Sequence, residues 1–317
     1  MKAFIALVLA TLLSCSAHAQ GYPNRVVRIV VPYATGGNTD LTARIVATRL
    51  SEALGQQVIV ENRPGGGTNI GSELVAKAPA DGHTLLMGGA SNAINMSLYR
   101  DLPYDTVRDF APIVLCVKGA AVLAVQPSIA KNLTELLALA RSRPGKLNFA
   151  SAGPGSSTHM AGELLKQMTG VDIVHVPYKG NAPAIADTLG GQVEMIFSGV
   201  PALLPHLQSG RLRAIAIGSL RRFPAIPEVP TFDELGLRGY EATTWFGLLA
   251  PAKTPRDIVI RLNAEVTRIL GGRDLGERLM REGLEASAGT PEHFAQYIDE
   301  EIAKYARLVK AAGLKSQ

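Results

Sequence analysis

Strand-like and helix-like runs alternate along this chain with short connections, and they do so in two separate series. The first opens with RVVRIVV (25–31), a continuous β-branched run such as a strand buried on both faces requires. From Asn38 to Leu54 the residues Leu41, Ile45, Val46, Ala53 and Leu54 fall near one helical stripe, which Gly55 stops. VIVEN (58–62) is the next strand, and the glycine-rich bend RPGGGTNIG leads into a helix at SELVAKA. HTLLMGG (83–89) is a third strand, and DFAPIVLCV (109–117) ends the series. AVLAVQPS (121–128) then brings the chain into a new region, where the rhythm restarts. Helix LTELLALAR, strand KLNFA, a helix from Ser156, strand VDIVHV, helix APAIADTLG, strand QVEMIF, helix ALLPHLQSG and strand LRAIAIG follow in turn. The proline-spaced stretch RRFPAIPEVPTFDELG breaks the pattern, YEATTWFGLLAP (240–251) reads as a long strand, and helices at 255–271, 274–282 and about 291–312 finish the chain. Such alternation implies parallel sheets flanked by helices, and two series imply two α/β domains. At 317 residues, 47% hydrophobic and 19% charged, the chain can core both.

The first residues carry one early positive charge at Lys2, an apolar run from Ala3 to Leu13, and Ala17-His18-Ala19 with small residues where a signal peptidase reads. Residues 1–19 therefore read as a secretory signal, too short for a membrane span, and the mature chain is expected in the periplasm. Leu12-Leu13-Ser14-Cys15 is a looser lipoprotein-type box in which Leu13 is bulky, so cleavage after Ala19 is the expected processing. It leaves Cys116 as the only thiol, which excludes an intrachain disulfide and a cysteine-based metal site. Loss of Lys2 lowers the formal charge from +5 to +4. Basic residues are scattered, with Arg221-Arg222 the densest pair, and aromatics are 5%; a nucleic-acid groove needs a basic stripe with stacking rings. A mild positive field suits the attraction of small anions instead.

In open α/β sheets ligands sit beyond the carboxyl ends of the strands. That rule points to the loops after Val31, Met87, Ala150, Val176 and Phe197. Two of them are alike in kind. VPYATGGNTD puts Gly36, Gly37 and Asn38 at a helix start, and SAGPGSSTHM puts Gly155, Ser156, Ser157 and Thr158 at another. Small residues let a ligand approach the backbone, and the first helical N–H groups point at it. The helix dipole favours an anion there by about 0.3–1 kcal/mol, up to roughly 2 when partly buried. Charge-assisted hydrogen bonds add about 1.5–3 kcal/mol each. A few at each end of a small acid reach the roughly 8 kcal/mol of micromolar binding after association costs, with no lysine or arginine. Taken singly, Asn38 and Ser156 read as ordinary helix N-caps. A pair of such loops, one in each expected domain, favours a binding site.

Other chemistry finds little support. His159 lies too close in sequence to Ser156 and Ser157 to act as their base, and His83, His175, His206 and His293 read as isolated. There is no G-x-S-x-G elbow, no P-loop, no dinucleotide fingerprint and no H-x-x-x-H pair. The expectation is a binding protein with no catalytic residues, no cofactor and no metal.

VPYATGGNTDLTARIVATRL, VIVENRPGGGTNIGSELVAKAPADGHTLL, LYRDLPYDTVRDFAPI and the run from PGKLNFASAGPGSSTHM to GGQVEMIF closely resemble the Bug receptor family. These are the TctC-like extracytoplasmic solute receptors of tripartite tricarboxylate transporters. LPHLQSGRLRAIAIGS, PEVPTFDELGLRGYE, WFGLLAPAKTP and GTPEHFAQYIDEEIAKYARLVKAAG match as well, so the resemblance spans the mature chain in order.

The resemblance implies a type II-like periplasmic binding protein with two α/β domains joined by two crossing strands, here at 121–125 and 243–249. Domain I then comprises 20–120 with 243–317, and domain II 121–242. It also implies two loops that grip a carboxylate. The matching positions are Tyr33, Ala34, Thr35, Gly36, Gly37 and Asn38 on one side, and Ser151, Ser156, Ser157, Thr158 and His159 on the other. Asp40 is read as ordering the first loop. Ser91, Asn92, Tyr178, Lys179 and Ser198 match further cleft positions, although Tyr178 and Lys179 could equally pack at the domain edge. Serine at 198 offers no firm partner for an ammonium, which favours a plain carboxylate over an amino acid. Trp245, the only tryptophan, is expected in the core rather than in the cleft wall. The function implied is capture of a small carboxylate by a monomeric receptor and its delivery to a membrane permease. A sensor docking on a signalling membrane protein is the alternative.

Overall fold

The computed structural model describes residues 21–314. The expected signal segment and Cys15 lie outside the described residues. Ten strands form one curled mixed sheet: β1 (Val27–Val31), β2 (Val58–Asn62), β3 (Thr84–Gly89), β4 (Phe110–Val125), β5 (Leu147–Ser151), β6 (Ile173–Pro177), β7 (Met195–Gly199), β8 (Arg213–Ile217), β9 (Thr243–Pro251) and β10 (Leu284–Ala286). The order is β2-β1-β3-β9-β4-β7-β5-β6, with β8 and β10 also paired to β4. Pairs at the two ends are parallel, as the βα rhythm requires; every pair made by β4 and β9 is antiparallel.

The helices are α1 (Asn38–Leu54), α2 (Asn69–Ala76), α3 (Ala90–Leu98), α4 (Leu133–Ser142), α5 (Ser157–Thr169), α6 (Asn181–Leu189), α7 (Val200–Gln208), α8 (Arg256–Leu270), α9 (Arg273–Arg281) and α10 (Pro291–Ala311). Gly55 and Gly170 end α1 and α5 in the left-handed conformation, with φ 66° and 68°.

Two sequence expectations are corrected. The strands expected at 109–117 and 121–128 are one 16-residue strand, β4, because Lys118-Gly119 makes no turn and the apolar run continues through Val125. β9 pairs only with β3 and β4, so the chain returns at Ala242–Thr243 and the second crossing is a short connection. Helix α3, not anticipated from the sequence, follows β3 directly; three of its four polar residues, Ser91, Asn92 and Asn95, are buried and interrupt the apolar stripe.

β4 joins the two ends of the sheet. It pairs with β9 as far as Ala120 and with β7 from Ala121 on. Its alternation serves two cores: Ala121, Leu123 and Val125 face Phe149, Phe197 and Tyr240, whereas Val122 and Ala124 face Ile196, Val200 and Leu203. At the other end β1 does the same. Val27, Ile29 and Val31 pack under α1 and α8, while Val30 joins Leu86, Trp245, Leu249 and Phe294 beneath α3 and α10. Each end of the sheet thus has its own pair of cores, and the helix starts that follow β1, β3, β5, β6 and β7 meet between them.

Candidate functional site

That meeting place is a cleft of about 460 Å³, mouth included. Tyr33, Gly37, Asn38 and Thr39 line it from the start of α1, Ala90 and Ser91 from α3, Ala152, Ser156, Ser157 and Thr158 from α5, Asn181 from α6 and Gly199 from the start of α7. Ala121, Thr244 and Phe246 close the floor from β4 and β9. No lining residue is charged. Five helix N-termini face one small space, each with its dipole positive inward.

Helix α1 starts without a side-chain cap: Gly37 occupies the N-cap position, and the first bonded amide is that of Leu41, to Gly37 O. The N–H groups of Asn38, Thr39 and Asp40 precede it and have no intrahelical partner. Asn38 is therefore the first helical residue and not the N-cap that it resembles when taken singly. Asp40 orders this turn, as expected. Its carboxylate, 1% exposed, accepts the Gly36 N–H at 2.9 Å, Arg44 Nε at 3.0 Å and Asn62 Nδ2 at 3.0 Å. Burial alone would raise its pKa; those hydrogen bonds outweigh burial and hold it below the ordinary carboxylate value. Opposite, Ser156 is the N-cap of α5, its Oγ accepting the His159 N–H at 3.1 Å and donating to Gly153 O at 2.7 Å. Thr158 Oγ1 accepts the Ala152 N–H at 3.0 Å. The hydroxyls of 156 and 158 brace the loop, and the N–H groups of Ser157 and Thr158, in the first turn of α5, have no intrahelical partner. Ser157 Oγ itself donates to Thr244 Oγ1 at 3.1 Å.

Tyr33 OH and Ser91 Oγ share a hydrogen bond of 2.7 Å beside the cleft. Burial pushes the Tyr33 phenol up to about 12, against the pull of that bond, so it stays a neutral donor.

The other residues singled out in the sequence stand behind or beside this surface. Ala34 N–H donates to Lys179 O across the cleft at 2.8 Å, and Thr35 and Gly36 are exposed. Asn92 is fully buried, accepting the Gly89 N–H and donating to Ser72 Oγ. Tyr178 donates to Asp187 Oδ2 at 2.7 Å and, with Lys179, lines a neighbouring cavity beyond Tyr33 and Ala152. Ser198 is fully buried and its Oγ has no hydrogen-bond partner.

His175, expected to be isolated, is not. Its Nε2 lies 2.6 Å from Ser151 Oγ, and its ring stacks on His159 with centroids 4.0 Å apart. Burial lowers His159 to about 4 and, with His159 and Lys166 nearby, His175 to about 3, so both rings are neutral at pH 7. Ser151 is fully buried, so this serine and histidine support the loop from below, away from the cleft surface. Trp245 is in the core, its Nε1 donating to buried Glu301 at 2.9 Å. Among the described residues no cluster of three or more His, Cys, Asp or Glu is placed to hold a metal, and no helix is long and apolar enough to cross a membrane.

Thr39, Asn181 and Thr244 line the cleft and were not singled out in the sequence. Asn181 carried a signal, since it follows Gly180 at the start of the helix after the fourth of the five loops.

The family model for the tripartite tricarboxylate transporter family receptor, TctC, matches residues 42–314. The chain belongs to this family. TctC-family members are periplasmic solute receptors. The chain is 37% identical to Protein BugT of Bordetella pertussis, over 99% of this chain and 98% of that one. Among solved structures, R. palustris Rpa4515 with adipate superposes with a TM-score of 0.90 at 38% identity, covering 92% of this chain and 99% of that one. MatC from Rhodopseudomonas palustris with bound malate gives 0.87 at 34%, covering 91% and all of that chain. The two molecules named with these neighbours, adipate and malate, are dicarboxylates.

Proposed function

We propose that this receptor captures a small carboxylate between the α1 and α5 turns and closes two lobes over it, 20–120 with 243–317 on one side and 121–242 on the other, for delivery to a membrane permease. One observation carries the reading: five helix starts converge on a cleft lined by amides, hydroxyls and apolar carbon, with no charged side chain. Such a lining attracts a negative group through fixed partial charges and offers nothing to bind a phosphate bidentately or to activate a nucleophile. The adipate and malate held by its structural neighbours are of the chemical class this lining suits. The ligand bridges both lobes and stabilises the closed form through contacts that only that form makes.

The test is a thermal-shift and calorimetric screen of the purified protein against carboxylates, with malate and adipate included. A ligand at about 100 times its dissociation constant stabilises the fold by roughly 2.7 kcal/mol. A panel of mono-, di- and tricarboxylates that leaves the melting temperature unmoved refutes the reading.

A further inference from the structure

Helix α7 lacks a cap of its own. Its N-cap position is Gly199, which has no side chain, and its second residue is Pro201, which has no N–H. The amide that an N-cap side chain would satisfy is therefore that of Ala202, the third helical residue. A side chain does satisfy it, from the far side of the cleft: Asn38 Oδ1 accepts the Ala202 N–H at 3.0 Å, across 164 residues of sequence. Asn38 is 3% exposed and sits at the first position of α1. Gly199 makes room for it. A Cβ built on Gly199 would stand 2.1 Å from Asn38 Nδ2 and 2.9 Å from its Cγ. The Gly199 backbone has φ −73° and ψ 156°, which any residue adopts, so clearance for Asn38 is what glycine supplies there.

We propose that Asn38 is a cross-cleft latch: it caps α7 of the opposite lobe, and Gly199 is the socket that admits it, so the closed form is stabilised before any ligand arrives. This rests on the lobe motion proposed above. In the open form α7 loses its cap to water and Asn38 is freed; in the closed form both are satisfied. Asn38 thereby positions the α1 turn against α7 and sets the ratio of closed to open receptor, on which apparent affinity depends.

The experiment places spin labels at Thr48→Cys on α1 and Gln208→Cys on α7, both exposed, with buried Cys116 left unlabelled. Interlobe distances are recorded without ligand and with malate or adipate. Asn38→Ala is expected to lower the ligand-free closed-to-open ratio about fivefold, the equivalent of a typical cap at about 1 kcal/mol. Gly199→Ala with Asn38 retained is expected to open the receptor as well, because its Cβ occupies the socket. Asn38→Ala with Gly199→Ser gives α7 a cap on its own chain; it is expected to restore the melting temperature and leave the closed-to-open ratio low. A merely structural cap would restore both. Ligand-free distances that are the same in wild type and Asn38→Ala overturn the latch. Distances and melting temperature of the wild type that neither acid shifts count against carboxylate capture, while the ligand-free comparison still decides the latch.

Discussion

Ser157→Asp separates helix stability from ligand affinity, because the two should move in opposite directions. Ser157 is the first residue of α5, half-buried, and lines the cleft. A carboxylate there meets the positive end of the helix, which favours it by about 0.3–1 kcal/mol. Thr244 Oγ1, which accepts from Ser157 Oγ in the wild type, can turn its own proton towards the new carboxylate. The fold is therefore expected to keep or gain stability. A bound acid, by contrast, now faces a like charge at about 4–5 Å, which at an effective dielectric of about 20 costs roughly 3–4 kcal/mol. The new aspartate can escape by taking up a proton, but from an ordinary pKa near 3.9 that costs about 4 kcal/mol at pH 7, so escape is no cheaper. Affinity for the best acid of the carboxylate panel is expected to fall by about 150- to 1000-fold. Ser157→Asn, similar in size and neutral, is the control and should stay within about tenfold of wild type. Calorimetry gives the affinities and urea unfolding the stabilities. If Ser157→Asp binds as tightly as Ser157→Asn, the bound group does not sit at the start of α5 and the helix-dipole argument fails.

The stacked histidines make stability fall on mild acidification: their folded pKa values, about 4 and about 3, lie below the unfolded 6.5, so the unfolded chain takes up protons first and stability drops as pH falls from 6.5 towards those values. Between pH 7 and 5 each should cost about 2 kcal/mol in urea unfolding, and His175→Phe should flatten the profile. Trp245→Phe leaves buried Glu301 without its indole donor and should cost about 1–3 kcal/mol of stability while ligand affinity holds within about twofold; a large affinity loss would put Trp245 in the cleft wall. Cys116 is fully buried with its thiol pushed up to about 12, so it should react with a thiol reagent only at the rate of unfolding, as followed by absorbance.

The periodic features were legible in the sequence, and the long-range pairings were not. The β-branched run of β1 and the stripe of α1 announce themselves because burial on two faces or one stripe leaves a period. The five loops that line the cleft followed from the same periodicity, since the carboxyl end of a strand is a local feature. The continuity of β4 was hidden, because nothing in Lys118-Gly119 says that both halves of the sheet will claim the same strand. Roles inside the loops were hidden as well. Ser156, Thr158 and Asn38 look alike as small polar residues at helix starts. Only the fold reveals that the first two brace their own turn and that the third reaches across to α7. The pairing of His159 with His175 leaves no local signal for the same reason: residues 16 apart meet only once β5 and β6 lie side by side.

An anion site built from helix starts alone, as proposed for this cleft, has a consequence for how the empty receptor behaves. An arginine in the cleft would bind an acid more strongly, but with the cleft empty, closing the lobes would strand a buried cation at a cost of several kcal/mol. Such a receptor would be held open until ligand supplied the countercharge. Backbone amides carry only partial charge, and an unfilled amide costs about 1–3 kcal/mol at most, less where water remains. A neutral cleft therefore permits closure without ligand, and the contacts across it are the kind that make use of that freedom: Ala34 to Lys179 through the backbone, Ser157 to Thr244, and Asn38 to Ala202. On the proposed function, a carboxylate would then add its differential binding to a closed form that the ligand-free receptor already populates, and would leave without breaking a buried ion pair. For a protein that must give up its cargo, weak fixed charges on rigid elements serve both halves of the cycle, capture and release.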